Sequence, residues 1–160
     1  MEFTWDWYRA LLFVHVASVV IALGATFALP LLQPMGARGG IRTLRFVLEF
    51  THRLELRIVG PGSGVAFLSG LALIFNDRTG YSDDMPLWLT VAIAWFLVAA
   101  VVANVVQAPN LKKAIKLLEG VPDEGPMPRE LGPLANRMRI TGQMLSVSTI
   151  GVLLLMVWKP

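Results

Sequence analysis

The chain has 160 residues, of which 55% are hydrophobic and 16% charged, with a formal net charge of +3 at pH 7 and no cysteine. Soluble domains carry about 25% charged residues, so an ordinary water-soluble globule is excluded, as are disulfides, thiolate metal sites and cysteine nucleophiles. A pI near 9.7 would suit nucleic acid, but the basic residues fall between apolar runs, which is the pattern of membrane topology and not of a nucleic-acid partner.

Four apolar runs are long enough to cross a hydrocarbon core of about 30 Å. The first covers residues 10–32 and includes LLFVHVASVVIALGATFALPLL. The opening MEFTWDWYR is acidic, and the run is too long for a signal peptide, which needs a basic start and a short apolar core. The second, VGPGSGVAFLSGLALIF, begins a turn earlier near Leu56, so the span is 56–75. Its proline and glycines are tolerated in membrane helices, where neighbouring helices re-satisfy the backbone. The third run is 86–106 and the fourth 140–158. The expected fold is all-α: a polytopic membrane protein, residues 1–160 forming a single membrane domain, a four-transmembrane-helix bundle with short cytoplasmic amphipathic helices.

Lysine and arginine set orientation. Residues 33–57 and 107–139 together hold eleven of them, against Arg78 alone in 76–85. Both long loops are therefore expected in the cytoplasm and both termini outside. Trp5, Trp7, Tyr8, Tyr81, Trp88 and Trp158 then fall at the outer interface, where amphipathic rings settle.

In GIRTLRFVLEFTHRLELR, the charges Arg42, Arg45, Glu49, Arg53 and Arg57 share one helix face. Ile41, Leu44, Val47 and Leu48 cover another. Such a helix either rests on anionic inner-leaflet lipids through Arg42, Arg45, Arg53 and Arg57 or is a solvated topology signal. NLKKAIKLLEG predicts a second short helix, with Asn110 as its N-cap and Gly120 just past its end. VPDEGPMP reads as a linker, and a third short helix from about Arg129 leads into span four. The halves share a layout, and LLQP at 31–34 echoes VVQAP at 105–109, as a duplicated hairpin would.

Small residues mark contact faces in lipid. Span two has Gly60 and Gly64 in GxxxG spacing. It also has Gly62, Ala66 and Gly70 at four-residue steps, a face able to approach a partner helix or a flat cofactor. Asn104 and Gln143 lie at similar depth. They predict an amide contact that glues spans together or, with Ser146, a polar path through a small transporter or permease-like subunit.

His15 is the one imidazole within the spans, about 9 Å in from the outer end at about 1.5 Å per residue. Its helix face contains Ser18, Ala22 and Ala25 or Thr26, so it is expected to point into the bundle. An intramembrane ionisable group suggests function. Three readings stand: an axial ligand to haem iron, a proton-handling group, or a histidine bonded to a Ser, Thr or carbonyl of a neighbouring span. His52 lies about 20 Å or more away along the membrane normal, so a second axial ligand to His15 would have to be Met156.

The run HVASVVIALGATFALPLL, with His15, Gly24, Phe27, Leu29 and Pro30, resembles the first span of a group of small bacterial inner-membrane proteins. The group comprises HemJ-type protoporphyrinogen oxidases, copper-resistance protein D-like membrane domains and an uncharacterised family of predicted integral membrane proteins. The resemblance implies a four-helix bundle in the inner membrane and, for HemJ-type members, a haem or porphyrin held by the histidine. This chain has Ala22 and Leu31 where the HemJ-type pattern has tryptophan and arginine, and it lacks that pattern's intramembrane lysine.

The spans contain no Asp or Glu and no nucleophile–base pair, so no reaction is expected of the chain alone. The expected site is His15, as the metal ligand, with Ser18, Gly70 and Met156 around a haem b or porphyrin. The expected function is an accessory or cofactor-binding membrane protein. The alternatives are the small transporter subunit and a purely structural subunit of a homo-oligomer or larger membrane complex.

Overall fold

In the computed structural model, which describes residues 6–159, all regular structure is helical. Four long rods follow one another: Trp7–Arg38, Gly40–Ile74, Leu87–Leu118 and Leu131–Trp158. Rods of 28 to 35 residues reach about 42–52 Å at about 1.5 Å per residue. They therefore cross a hydrocarbon core of about 30 Å with length to spare. The surplus lies at the end rich in lysine and arginine, here called the basic end.

That surplus revises the expectation of separate amphipathic helices. Helix α1 is Trp7–Arg38. Helix α2 (Gly40–Leu54) runs into α3 (Gly60–Ile74) through a π-helical turn, Glu55–Val59. Helix α4 (Leu87–Val102) runs into α5 (Ala108–Leu118) through a second π turn, Ala103–Gln107. Each π turn precedes a proline by two residues, Pro61 and Pro109. A proline lacks the N–H and crowds the carbonyl four residues back; those carbonyls, of Arg57 and Val105, lie inside the widened turns. The helices thus pass through their prolines instead of ending there. Asn110 is accordingly not an N-cap but a buried residue inside a continuous helix. The segment expected to form a third short helix from Arg129 is the start of α6 (Leu131–Trp158), unbroken into span four.

The closest pairing is α1 on α3. A Cβ built on Gly62 would lie 3.0 Å from Ala22 Cβ, and Ala22 and Ala66 are both buried. In lipid there is no hydrophobic drive between helices, so such close backbone approach supplies the attraction. Helix α6 packs on α4 and touches α1. Helices α3 and α4 meet through Phe67 and Phe96, stacked with ring centroids 5.4 Å apart. The GxxxG pair Gly60 and Gly64 is exposed.

At the basic end the bundle behaves like a soluble core. Ile41, Leu44 and Leu48 of α2 pack with Leu111, Ala114 and Leu118 of α5 and with Leu131 and Met138 of α6. The apolar face of α2 is therefore spent on protein and is not free to lie on a leaflet. Arg45 Nη2 donates to the carbonyls of Leu118 (2.9 Å) and Val121 (2.6 Å), and Nη1 donates to Asp123 Oδ1 (3.2 Å). This places a cation on the last carbonyl of α5 and on that of Val121 just beyond it, the favourable sign for that dipole end, and turns the Arg45 guanidinium toward protein partners. Arg42, Arg53 and Arg57 are exposed, Arg53 with Glu49 at 3.7 Å.

At the opposite end, Asp6 N-caps α1 by accepting from the Tyr8 N–H at 3.1 Å. Arg78, in the α3–α4 connection, donates to the other Asp6 oxygen. Gly80 supplies a left-handed turn (φ +66) in that connection, and Tyr81 meets Trp88 edge-on. Trp7 and Trp158 are exposed, as an interfacial belt requires; Trp5 lies outside the described residues.

Two outcomes follow from these contacts. Gly62→Ala forces α1 and α3 apart and lowers stability by about 1–3 kcal/mol, whereas Gly64→Ala, which has nothing within 4 Å of its added carbon, stays within about 0.5 kcal/mol. Thermal unfolding in mild detergent separates them. The Arg78 guanidinium holds the Asp6 carboxyl below its usual 3.8, so the clasp is complete above that value and is lost as pH falls through the lower, folded one. Hydrogen exchange in the first turn of α1 rises over that acid range, and Asp6→Asn abolishes the pH dependence.

Candidate functional site

His15 lies half-buried on the face of α1 that meets α3. Its Nδ1 is 2.8 Å from the Ala66 carbonyl oxygen and 3.3 Å from Ser69 Oγ. A carbonyl only accepts, so Nδ1 carries the proton and the lone pair resides on Nε2. Ser69 Oγ itself donates to the Val65 carbonyl at 2.6 Å. The imidazole rests against Gly70: a Cβ there would lie 3.0 Å from Cε1 and 3.3 Å from Nδ1. The glycine is what admits the ring.

Of the expected site residues, the structure brings His15 and Gly70 together. Ser18 and Met156 are half-buried on α1 and α6; the hydroxyl beside the imidazole is that of Ser69. The Gly62–Ala66–Gly70 face, read as able to take a helix or a flat cofactor, is covered by α1. His52 is on α2, at the basic end. Ser69 was missed, although its place beside Gly70 in a run of small residues was the available signal.

The second hairpin contains the same construction. Trp95 is eight residues on from Leu87, the start of α4, as His15 is eight on from Trp7, the start of α1. Its Nε1 donates to Ser148 Oγ on α6. Its ring lies over Gly151, where a Cβ would come within 2.9 Å of Cη2. In each hairpin a ring N–H on the first helix is seated on a glycine of the second and bonded beside it.

The expected amide contact between Asn104 and Gln143 is not formed. Asn104 Nδ2 donates to the Ala100 carbonyl of its own helix at 2.8 Å, and both side chains are exposed. Ser146 Oγ donates back to the Gly142 carbonyl at 3.0 Å. The interior amide that lies near α6 at Gly142 is that of Gln107 instead. It is buried, and its Nε2 lies 3.9 Å from where a Cβ on Gly142 would stand.

Gln107 belongs to a polar layer above the apolar core of the basic end. It precedes Leu111 by one turn, Thr51 follows Leu48 by one turn, and Thr141 follows Met138 likewise. All three polar residues are buried. Gln107 Oε1 and Thr51 Oγ1 are enclosed without a protein hydrogen-bond partner. Each such atom costs about 1–3 kcal/mol relative to a satisfied one.

The family model described as "Predicted integral membrane protein (DUF2269)" matches residues 9–160. No curated protein and no solved structure matches the chain.

Thr51, only 1% exposed, offers a direct reading of that layer. Thr51→Val keeps the shape and removes the unpartnered oxygen, so stability holds or rises by about 1 kcal/mol. Thr51→Ala leaves a void and costs about 1 kcal/mol. Unfolding midpoints of the pair in one detergent measure the difference.

Proposed function

The chain belongs to the family of predicted integral membrane proteins DUF2269, and we propose that it is an accessory membrane component with no reaction of its own. In this reading the basic end faces the cytoplasm of a bacterial cell, both termini lie outside the inner membrane, and the bundle serves as a rigid subunit of a larger assembly.

The observation that carries this reading is the matched pair of ring-on-glycine contacts. An indole offers no lone pair to a metal and does not titrate near neutral pH. The Trp95 contact therefore works as a fastener alone, and His15 occupies the corresponding place. Three further intramembrane polar groups bond to the backbone of their own helices: Thr26 Oγ1 donates to the Ala22 carbonyl at 3.0 Å, Asn104 Nδ2 to the Ala100 carbonyl and Ser146 Oγ to the Gly142 carbonyl. This supports fastening over a polar conduit.

A second reading, a haem or porphyrin on His15, draws on the tautomer. Orienting a ligating imidazole through Nδ1–H to a carbonyl, with Nε2 left as the donor atom, is the arrangement of metal-binding histidines. The residues fit one axial bond and not a two-sided clamp. The small-residue face that would flank a macrocycle is filled by α1, so the group would have to meet Nε2 from the edge of the bundle. A haem held there would supply a one-electron redox centre.

The visible spectrum of the purified protein decides between them. On the fastening reading the protein is colourless, and His15→Ala and Trp95→Phe each lower stability by about 0.6–1.7 kcal/mol, the range for polar contacts between membrane helices. A Soret band that disappears in His15→Ala overturns it in favour of the haem reading.

A further inference from the structure

At the basic end, α5 and the start of α6 enclose an open cleft of about 780 Å³. Lys113 and Lys116 of α5, Arg137 of α6 and Glu130 just before it line the cleft, over a floor that includes Leu117 and Leu134. Three cations and one carboxylate thus line it. The ion pairs among the described residues engage other groups, Arg45 with Asp123 and Arg53 with Glu49 at this end, and none involves the cleft.

Position identifies the anion this cleft suits. About 20 helical residues cover the hydrocarbon core. Counting from Leu87 along the third rod reaches its boundary near residue 107, and counting back from Trp158 along α6 reaches it near residue 138. Arg137 stands at that boundary. Lys113 and Lys116 lie about 9 Å and 14 Å beyond it at about 1.5 Å per residue, and lysine stems reach back toward an interface. The headgroup layer fills about the first 5–8 Å outside the hydrocarbon. Arg137 thus stands at the inner edge of the headgroup layer and the lysine backbones just outside it, so the cleft spans the layer in which lipid phosphates lie, and Leu117 and Leu134 in its lining suit a molecule that is not wholly polar.

We propose that this cleft binds the phosphodiester headgroup of an anionic phospholipid, with Arg137 and Lys113 on the phosphate and Lys116 adding to the field. Arginine meets phosphate through a two-pronged fork and lysine as a point charge. A topology signal requires positive charge near the membrane and no cavity. Here Lys113, Lys116 and Arg137 edge a cleft; Arg38, Arg42 and Arg57, exposed on the first hairpin, carry equal charge and serve as the comparison. Which leaflet supplies the lipid follows from the proposed orientation; the binding itself does not depend on it.

Native mass spectrometry of the full chain in mild detergent tests this, with phosphatidylglycerol and phosphatidylcholine titrated in parallel. Phosphatidylglycerol is expected to bind at least about tenfold more tightly, since each basic side chain near a lipid surface contributes on the order of 1 kcal/mol. The triple variant K113Q/K116Q/R137Q reduces the preference to about twofold or less, while R38Q/R42Q/R57Q, which removes equal charge from the other hairpin, retains it. Thermal unfolding of both variants verifies that they fold. Equal loss in both variants overturns the site, as does no preference in the wild type. Displacement of the lipid by millimolar inorganic phosphate would make the ligand a free anion and overturn the lipid assignment.

Discussion

The approach of α1 to α3 at Gly62 and Ala22 is the contact on which the rest of the membrane region depends. Lipid tails are as apolar as leucine, so helices gain little by hiding leucine from them. Attraction comes from dispersion at short range, and short range requires that one partner lack a side chain. With the backbones close at Gly62, the next turns of α3 bring Ala66, Ser69 and Gly70 under His15. The imidazole then reaches a carbonyl that helical geometry has already committed, at 2.8 Å. That bond is a consequence of the close approach and also fixes its register.

The two hairpins are built alike at both ends. Toward the termini, a ring N–H sits on a glycine of the paired helix. Toward the basic end, a π turn lies two residues ahead of a proline in one long rod of each hairpin. The chain order differs: the amphipathic segment precedes the span in the second rod and follows it in the third. What recurs is therefore the contact between the two rods of a hairpin and not the order of elements along the chain: the π turn falls in the second rod of one hairpin and the first rod of the other, an order that a simple duplication does not produce.

Four spans were legible because bilayer thickness sets a length that composition must meet, and the runs at 10–32 and 86–106 meet it without a charge. The close-packing face of α3 was legible from small residues at four-residue steps, although that pattern does not say that the imidazole of His15 itself lies against Gly70. The continuity of the rods was not. Pro61 is tolerated in the reading of span two, but the amphipathic helix before it and the one around Pro109 read as separate elements; the π turns, with the carbonyls of Arg57 and Val105 inside them, let each rod run through its proline. The same error placed Asn110 at a helix start. The expected meeting of Asn104 and Gln143 rested on matching depth, but depth leaves open the direction of a side chain around the helix axis, and both point outward. Arg45 was grouped with its neighbours by spacing; its partners, Leu118, Val121 and Asp123, lie more than 70 residues on, where spacing carries no information.

Each π turn also solves a phasing problem. An α-helix advances about 100° per residue, and a π turn accommodates one extra residue without ending the rod. The face that a rod shows its partner within the lipid and the face it shows the water-side core can therefore be set independently. Deleting one residue from Glu55–Val59 would return the rod to a uniform helix and swing Leu44 and Leu48 about a quarter turn away from Leu111 and Leu118, dividing a bundle that now packs along its whole length.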